Sequence, residues 1–253
     1  MLNDKTVDVG GVPFVVTDLE TAAHNLVSAG QQGLAFPVRL WNAYCVGLTA
    51  SDPAYREMAR TGVILPDGTP VAWWMRLRTL TMRGVRPQRT RGPSLFVRTI
   101  ETGVGAGLRH ALFGGTPDTM AELLAALRLR FPGIHVSVGY APPFGPVTPE
   151  LVADLAERAR ASEAQIVWLG LGTPKQDYLA AELAEAAQMP VVGVGAAFDF
   201  VAGTVSEAPI GVQRLGLEWA YRLTREPKRL WRRYTIGSAW FAAALIGVRR
   251  RAA

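Results

Sequence analysis

From Pro37 onward the hydrophobic pattern of the chain alternates between two periods. Short continuous apolar runs predict strands at 38–46, 63–65, 111–113, 135–138, 166–171 and 191–194. Between them apolar residues recur every three or four positions, which predicts helices at 53–60, 69–77, 93–103, 118–131, 149–161 and 174–187. In the stretch 118–131, Met120, Leu123, Leu124 and Leu127 fall on one helical face. Strands that alternate with helices in this way predict a mostly parallel sheet covered by helices on both faces. The first 36 residues predict a small hairpin (7–9 and 14–16) followed by a helix at 19–29.

Ligands of an open α/β sheet gather at the carboxyl ends of the strands, near the N-termini of the helices that follow. The loops after the predicted strands are therefore the places to look for chemistry. The first is Gly170-Leu171-Gly172-Thr173-Pro174-Lys175-Gln176-Asp177. Thr173 reads there as an N-cap and Pro174 as the first helical residue. The glycines allow backbone N–H groups to approach an anion, and Lys175 adds charge, so the loop suits a nucleotide diphosphate; the alternative is a plain capped helix start. Gly114-Gly115-Thr116-Pro117 repeats the arrangement. Neither loop carries the glycine spacing of a Walker loop or of a dinucleotide fingerprint. Pro66-Asp67-Gly68 puts a carboxylate at the end of a short strand, either as a base that takes a proton from an attacking hydroxyl or as an ordinary turn aspartate. Asn42, inside the apolar run 38–46, reads as a ligand contact or as a plain strand residue. His24, His110 and His135 are scattered and read as surface or packing residues, and neither metal-ligand spacing nor an Asp-x-Asp pair occurs.

Charge changes the picture at the C-terminus. Residues 214–253 hold ten Lys/Arg and two acids, a net +8; the whole chain is +6, so residues 1–213 are net −2. Within this tail lies a 15-residue apolar run, 234–248, with Trp240, Phe241, Leu245 and Ile246. It is shorter than the ~20 residues needed to span a bilayer. Basic, aromatic and apolar residues in this order suit an anionic lipid surface. A helix docked on its own core, with Pro227 dividing it in two, is the alternative, and a nucleic-acid partner is a further one. A second arginine cluster runs from Arg76 to Arg98 without an acid. The single cysteine, Cys45, excludes an internal disulfide and fits a reducing compartment. With no signal-peptide pattern in the first ten residues, a cytosolic protein that visits the membrane is expected.

The motifs also follow one another in a specific order: Asn42; Leu65-Pro66-Asp67-Gly68; Arg89-x-x-Gly92; Phe113-Gly114-Gly115; Gly170-Leu171-Gly172-x-Pro174-Lys175-Gln176; Phe198-Asp199; Glu218-Trp219-x-Tyr221-Arg222; Glu226-Pro227-x-Arg229. In this order and spacing the chain closely resembles the WecG/TagA/CpsF family of bacterial glycosyltransferases, over essentially its whole length. The resemblance implies an inverting transferase that needs no cofactor and no metal. It would move a sugar (N-acetylmannosamine, its uronic acid or glucose) from a UDP-sugar donor to a polyprenyl-diphosphate-linked sugar acceptor. It implies Asp67 as the general base, Arg89 as a stabiliser of diphosphate, and Gln176 as a donor contact. Asn42, Gly114, Gly115, Gly172 and Lys175 complete the substrate-binding candidates. Arg222, Arg229 and Arg232 belong to a C-terminal appendage that completes the site at the membrane. Two positions depart from the family pattern: Leu40 stands where a threonine is usual, and Asp177 where a glutamate is usual.

The expectation is thus an α/β, Rossmann-like catalytic core over residues 1–205, with a mostly parallel sheet, and a helical basic appendage over 206–253. It would work in the cytoplasm, peripheral on the inner face of the membrane, with no nucleic-acid partner; a homo-oligomer is left open. The competing reading is a non-catalytic α/β module that binds anionic lipid or nucleic acid.

Overall fold

The computed structural model describes residues 4–82 and 86–247, with Arg214 and Arg229 described in their backbone only. The chain opens with an antiparallel hairpin, β1 (Thr6–Val9) and β2 (Val12–Val15), turned at Gly10-Gly11, and helix α1 (Leu19–Gln31) follows. Strand β3 (Pro37–Trp41) leads into α2 (Ala43–Ser51) and α3 (Pro53–Met58), then β4 (Val63–Pro66), α4 (Thr69–Arg78) and α5 (Gly92–Val104). Next come β5 (Arg109–Gly114), α6 (Pro117–Arg130), β6 (His135–Tyr140), α7 (Pro149–Ala161), β7 (Ile166–Gly170), α8 (Lys175–Ala187), β8 (Val191–Gly193) and α9 (Ala197–Ala202). Three helices end the chain: α10 (Ile210–Arg214), α11 (Glu218–Arg225) and α12 (Pro227–Leu245).

Strands β3 to β8 form one six-stranded sheet in the order β4-β3-β8-β7-β5-β6, with every pairing parallel. This is the expected α/β architecture, followed by the expected helical C-terminal region. The period of two is visible in burial. Leu40, Leu65, Leu112 and Trp168 point into one apolar layer with Leu26 and Phe96. Their neighbours Trp41 and Ile64 point to the other face with Phe14, Tyr55 and Met75. Phe113 and Leu169 pack on that same side of their strands against Leu155 and Leu183. A sheet buried on both faces explains why its strands read as near-continuous apolar runs.

One predicted strand is corrected. The run 38–46 is a strand only to Trp41; Asn42 then N-caps α2, its side-chain oxygen accepting from the backbone N–H of Tyr44 at 3.0 Å and of Cys45 at 3.4 Å. Helix α2 escapes a periodicity reading because it is covered on two sides, by the sheet layer beneath and by α12 above. Where the two helices cross, an added Cβ at Gly47 would lie 2.9 Å from the Cβ of Trp240 and 3.1 Å from the carbonyl oxygen of Gly237. An added Cβ at Gly237 would in turn lie 2.9 Å from Cδ2 of the Tyr44 ring. Backbones this close require glycine on both helices. The apolar part of the tail therefore packs on the core through Phe241, Ala244 and Leu245, and Pro227 does begin a new helix. Among the described residues no helix is long and apolar enough to cross a membrane.

Helix α8 differs from expectation in its start. It begins at Lys175, and Thr173 gives it no side-chain cap. At Gly114-Gly115 the expected cap holds: the Thr116 hydroxyl accepts from Thr119 N–H at 3.1 Å.

Candidate functional site

A cleft of about 270 Å³ lies over the carboxyl ends of four strands. Leu40 and Asn42 line it from β3, Asp67 from β4, Gly170–Thr173 from β7 and Gly193–Ala196 from β8. Gln176, Asp199 and Phe200 close it from α8 and α9, and Arg222 and Arg233 reach it from α11 and α12. The volume is close to the lower end of small-molecule sites, roughly 300 Å³.

Asp67 is held at the edge of the sheet by its backbone, whose N–H donates to the Trp41 carbonyl at 2.9 Å. Its side chain is half-buried. Among the described residues the carboxylate has no hydrogen-bond partner. Burial raises its pKa above the usual aspartate range and the negative charge of Glu218 raises it further; Arg91, Arg89 and Arg222 pull it back. A carboxylate that is unpartnered, wall-mounted and shifted toward neutrality is suited to accept a proton.

The cleft walls are fastened to each other by Gln176. This side chain is buried, and its Oε1 accepts from Gly172 N–H at 3.0 Å and Gly195 N–H at 3.1 Å, stapling the loop after β7 to the loop after β8. Gly193 makes room for it: an added Cβ would sit 3.1 Å from the Gln176 amide nitrogen. The staple uses Gly172 N–H, and Gln176 N–H donates to Gly172 O at 3.0 Å. Two of the loop's backbone donors are thereby occupied within the protein, so the loop is less of a phosphate cradle than its glycines suggest.

The neighbouring residue anchors the same wall from behind. Asp177 is fully buried and accepts from Trp41 Nε1 at 3.1 Å and Tyr55 OH at 2.8 Å. Arg39, also fully buried, donates through Nε to the Asp177 carbonyl at 3.2 Å. Cys45 lies in this layer, 3.6 Å from Asn42 Oδ1, and burial pushes its thiol up to about 12, which makes it a packing residue and not a nucleophile.

Several sequence candidates lie elsewhere. Arg89 is not in the cleft wall; it pairs with Glu218 at 2.9 Å and donates to Thr69 Oγ1 at 3.3 Å. Arg91, which the sequence reading left out, pairs with Glu218 at 2.6 Å and with Glu207 and donates to Gln213 Oε1 at 2.8 Å. These arginines tie the segment before α5 to the C-terminal helices. Gly114 and Gly115 pack β5 on β7: at Gly114, with φ +144°, an added Cβ would fall 2.6 Å from the Gly170 carbonyl carbon. Lys175 lies 6.0 Å from the Phe144 ring, away from the cleft lining. Arg232 is exposed, 5.8 Å from the Trp231 ring, and the neighbouring Arg233, 4.8 Å over the Tyr44 ring, reaches the cleft in its place. The side chain of Arg229, and Arg249–Arg251 entirely, lie outside the described residues. Arg222 does reach the cleft, 5.8 Å over the Phe200 ring, with a buried Nε that has no partner among the described residues. His110 is a core residue, accepting from Trp168 Nε1 at 3.1 Å. Among the described residues no group of three His, Cys, Asp or Glu is placed to hold a metal ion.

Fold and cleft together define an α/β protein with its site at the carboxyl edge of a parallel sheet, walled on one side by basic C-terminal helices. The family model described as "Glycosyl transferase WecG/TagA/CpsF family" matches residues 7–253. The chain therefore belongs to the WecG/TagA/CpsF family of glycosyltransferases, as its motifs led one to expect, and it is a glycosyltransferase. Membership implies a sugar-nucleotide donor and, in general terms, a lipid-linked acceptor.

Proposed function

We propose that the protein moves a sugar from a UDP-sugar to a sugar carried on polyprenyl diphosphate, with inversion, at the inner face of the membrane. The observation that carries this reading is the pairing of one unpartnered carboxylate, Asp67, with two arginines, Arg222 and Arg233, across a single cleft. An inverting transfer is one displacement. Asp67 takes the proton of the acceptor hydroxyl as its oxygen bonds to the anomeric carbon, and the bond from that carbon to the diphosphate oxygen breaks, so UDP departs with the electron pair. Arg222 and Arg233 compensate the charge that builds on the leaving diphosphate, through hydrogen bonds and through a guanidinium that needs no other counter-ion. Arg89 acts at one remove: held by Glu218, it contributes to the field that sets Asp67 rather than touching the donor.

The test is UDP release. A screen of UDP-sugars with a polyprenyl-diphosphate-linked sugar, run in the presence of a metal chelator, is expected to give acceptor-dependent UDP release with at least one donor. Release that depends on adding a divalent cation would overturn the leaving-group role of the arginines.

The field around Asp67 supplies a second expected outcome. The base must be ionised, so activity falls as pH drops through its raised pKa. Glu218 raises that pKa, and Glu218→Gln removes this contribution while releasing Arg89 from its ion pair, and Arg91 from one of its two, to lower it. The acidic limb of kcat/KM against pH is therefore expected to move to lower pH in Glu218→Gln. A limb that stays in place or moves upward would separate Glu218 from the base.

A further inference from the structure

Helix α4 starts two residues after Asp67 and carries an apolar face that nothing covers among the described residues. Its inner side, Val71, Ala72 and Met75, is buried in the layer beneath the sheet. On its outer side Trp73 and Leu77, one turn apart, are 62% and 57% exposed, and Leu80 and Met82 in the turn that follows the helix are 76% and 53% exposed. Leu34, Leu129 and Phe144 are exposed singly, and the other close group of exposed apolar residues, Ile210, Leu215, Leu217 and Trp219, lies in the C-terminal helices. A run of this kind along one helix and the turn after it is a surface built to be covered.

Charge names what covers it. From Gly68 to Ile100 the chain holds seven arginines and no acidic residue. Arg76, Arg78 and Arg86 are exposed among the apolar positions. A tryptophan and leucines flanked only by arginine match a surface that is apolar within and anionic at its border. A second cavity, of about 260 Å³, flanks the same helix; Trp74 and Arg78 of α4 line it together with Arg56, Arg60, one acid, Asp8, and Ala244 from the end of α12. The α4 face is thus continuous with the end of α12, where the arginine-rich final residues of the sequence begin. At its other end α4 starts two residues after the cleft-lining Asp67, and its first residue, Thr69, is contacted by Gly216, whose neighbours Leu215 and Leu217 are exposed too.

We infer that the outer face of α4 and the turn after it, through Trp73, Leu77, Leu80 and the arginines around them, docks on an anionic phospholipid surface and brings the mouth of the Asp67 cleft against it. This rests on the reading of a lipid-linked acceptor, and it adds a docking element within the α/β core to the basic C-terminal segment.

Vesicle binding tests it without any turnover assay. The full chain is incubated with phosphatidylcholine vesicles that contain or lack phosphatidylglycerol, and bound protein is measured by flotation. The parent protein is expected to prefer the anionic vesicles. Trp73→Ser/Leu77→Ser/Leu80→Ser is expected to bind them at least tenfold more weakly, and Arg76→Glu/Arg78→Glu to lose the preference, both with an unchanged circular dichroism spectrum and melting temperature. A second readout needs no apolar-to-polar change in the core. The only cysteine, Cys45, is buried, so Leu80→Cys takes an environment-sensitive fluorophore selectively. Its emission is expected to shift to the blue on anionic vesicles and to be quenched by brominated acyl chains. Parent-like binding by the triple serine variant, or a label that does not respond to vesicles, would overturn the proposal. So would a blue shift that follows protein concentration without vesicles, because a second copy would then be the occupant. UDP release that fails with every lipid-linked acceptor, while vesicle binding behaves as stated, would count against the proposed reaction and leave the docking face intact.

Discussion

Asp67→Asn is expected to lower turnover by roughly 10²–10⁴-fold, the range that a positioned general base contributes. The substitution keeps the size of the side chain and removes only its capacity to take a proton. Nothing in the fold depends on the charge: the backbone N–H of Asp67 makes the bond to Trp41, and the carboxylate has no partner among the described residues. The melting temperature should therefore stay within a few degrees of the parent or rise slightly, because a half-buried charge that desolvation disfavours has been removed. Donor binding should survive, since Arg222, Arg233 and the Gln176 staple are untouched. The expected signature is a fall in kcat with little change in the affinity for UDP, measured by UDP release and by calorimetry. An Asn variant with parental turnover would exclude Asp67 as the base. One that has lost UDP binding as well would assign the residue to the donor.

Much of this site is legible in the sequence, and the limits have physical causes. The alternation of strands and helices is visible because a sheet covered on both faces needs apolar runs, while its outer helices need one apolar stripe. The helix predicted at 149–161 is α7 residue for residue. Asp67 and Gly172 can be picked out because each stands just past a predicted strand, Asn42 and Gln176 because they belong to the ordered motifs, and the structure brings all four to one cleft. What fails is whatever depends on two elements meeting. Helix α2 was hidden because a helix sandwiched between two apolar surfaces loses the polar stripe that would show its period; the cap at Asn42 was the available signal. The choice between Arg232 and Arg233 is decided by register. Gly237 must face Tyr44 for α12 to seat on α2, and Arg233, one turn earlier, then points along the same face toward the cleft. Lys175 is not among the cleft-lining residues for a similar reason, since a charge at a helix start says nothing of which way the side chain leaves it.

The buried pair behind the cleft sets the second large effect. Asp177→Ala is expected to destabilise the fold by about 3–5 kcal/mol, the cost of leaving a buried charge, here Arg39, without the opposite charge that compensates it. In a chain of this size that is a drop of roughly 6–20 °C in Tm. The reasoning follows the atoms left behind. Arg39 has no exposed surface and spends its Nη1 on the carbonyls of Met58 and Thr61, at 3.2 and 2.6 Å, and its Nη2 has no partner among the described residues. The Asp177 carboxylate is the negative charge that opposes its burial. Without it Arg39 is an uncompensated charge in an apolar layer, and the Trp41 N–H and Tyr55 O–H lose their acceptor as well. Those two rings are stacked, with centroids 4.7 Å apart, so neither can turn to find water without opening the layer. Urea denaturation of Asp177→Ala, Arg39→Met and the double variant tests this as a cycle. The double variant should be more stable than the sum of the single losses implies, because the second substitution removes the charge that the first strands. Strictly additive losses would mean that the two side chains do not act as a pair. The consequence for catalysis follows from position: Trp41 precedes Asn42, and Asp177 follows Gln176. The buried pair thus clamps the end of β3 to the start of α8, the two walls between which the proposed donor must sit.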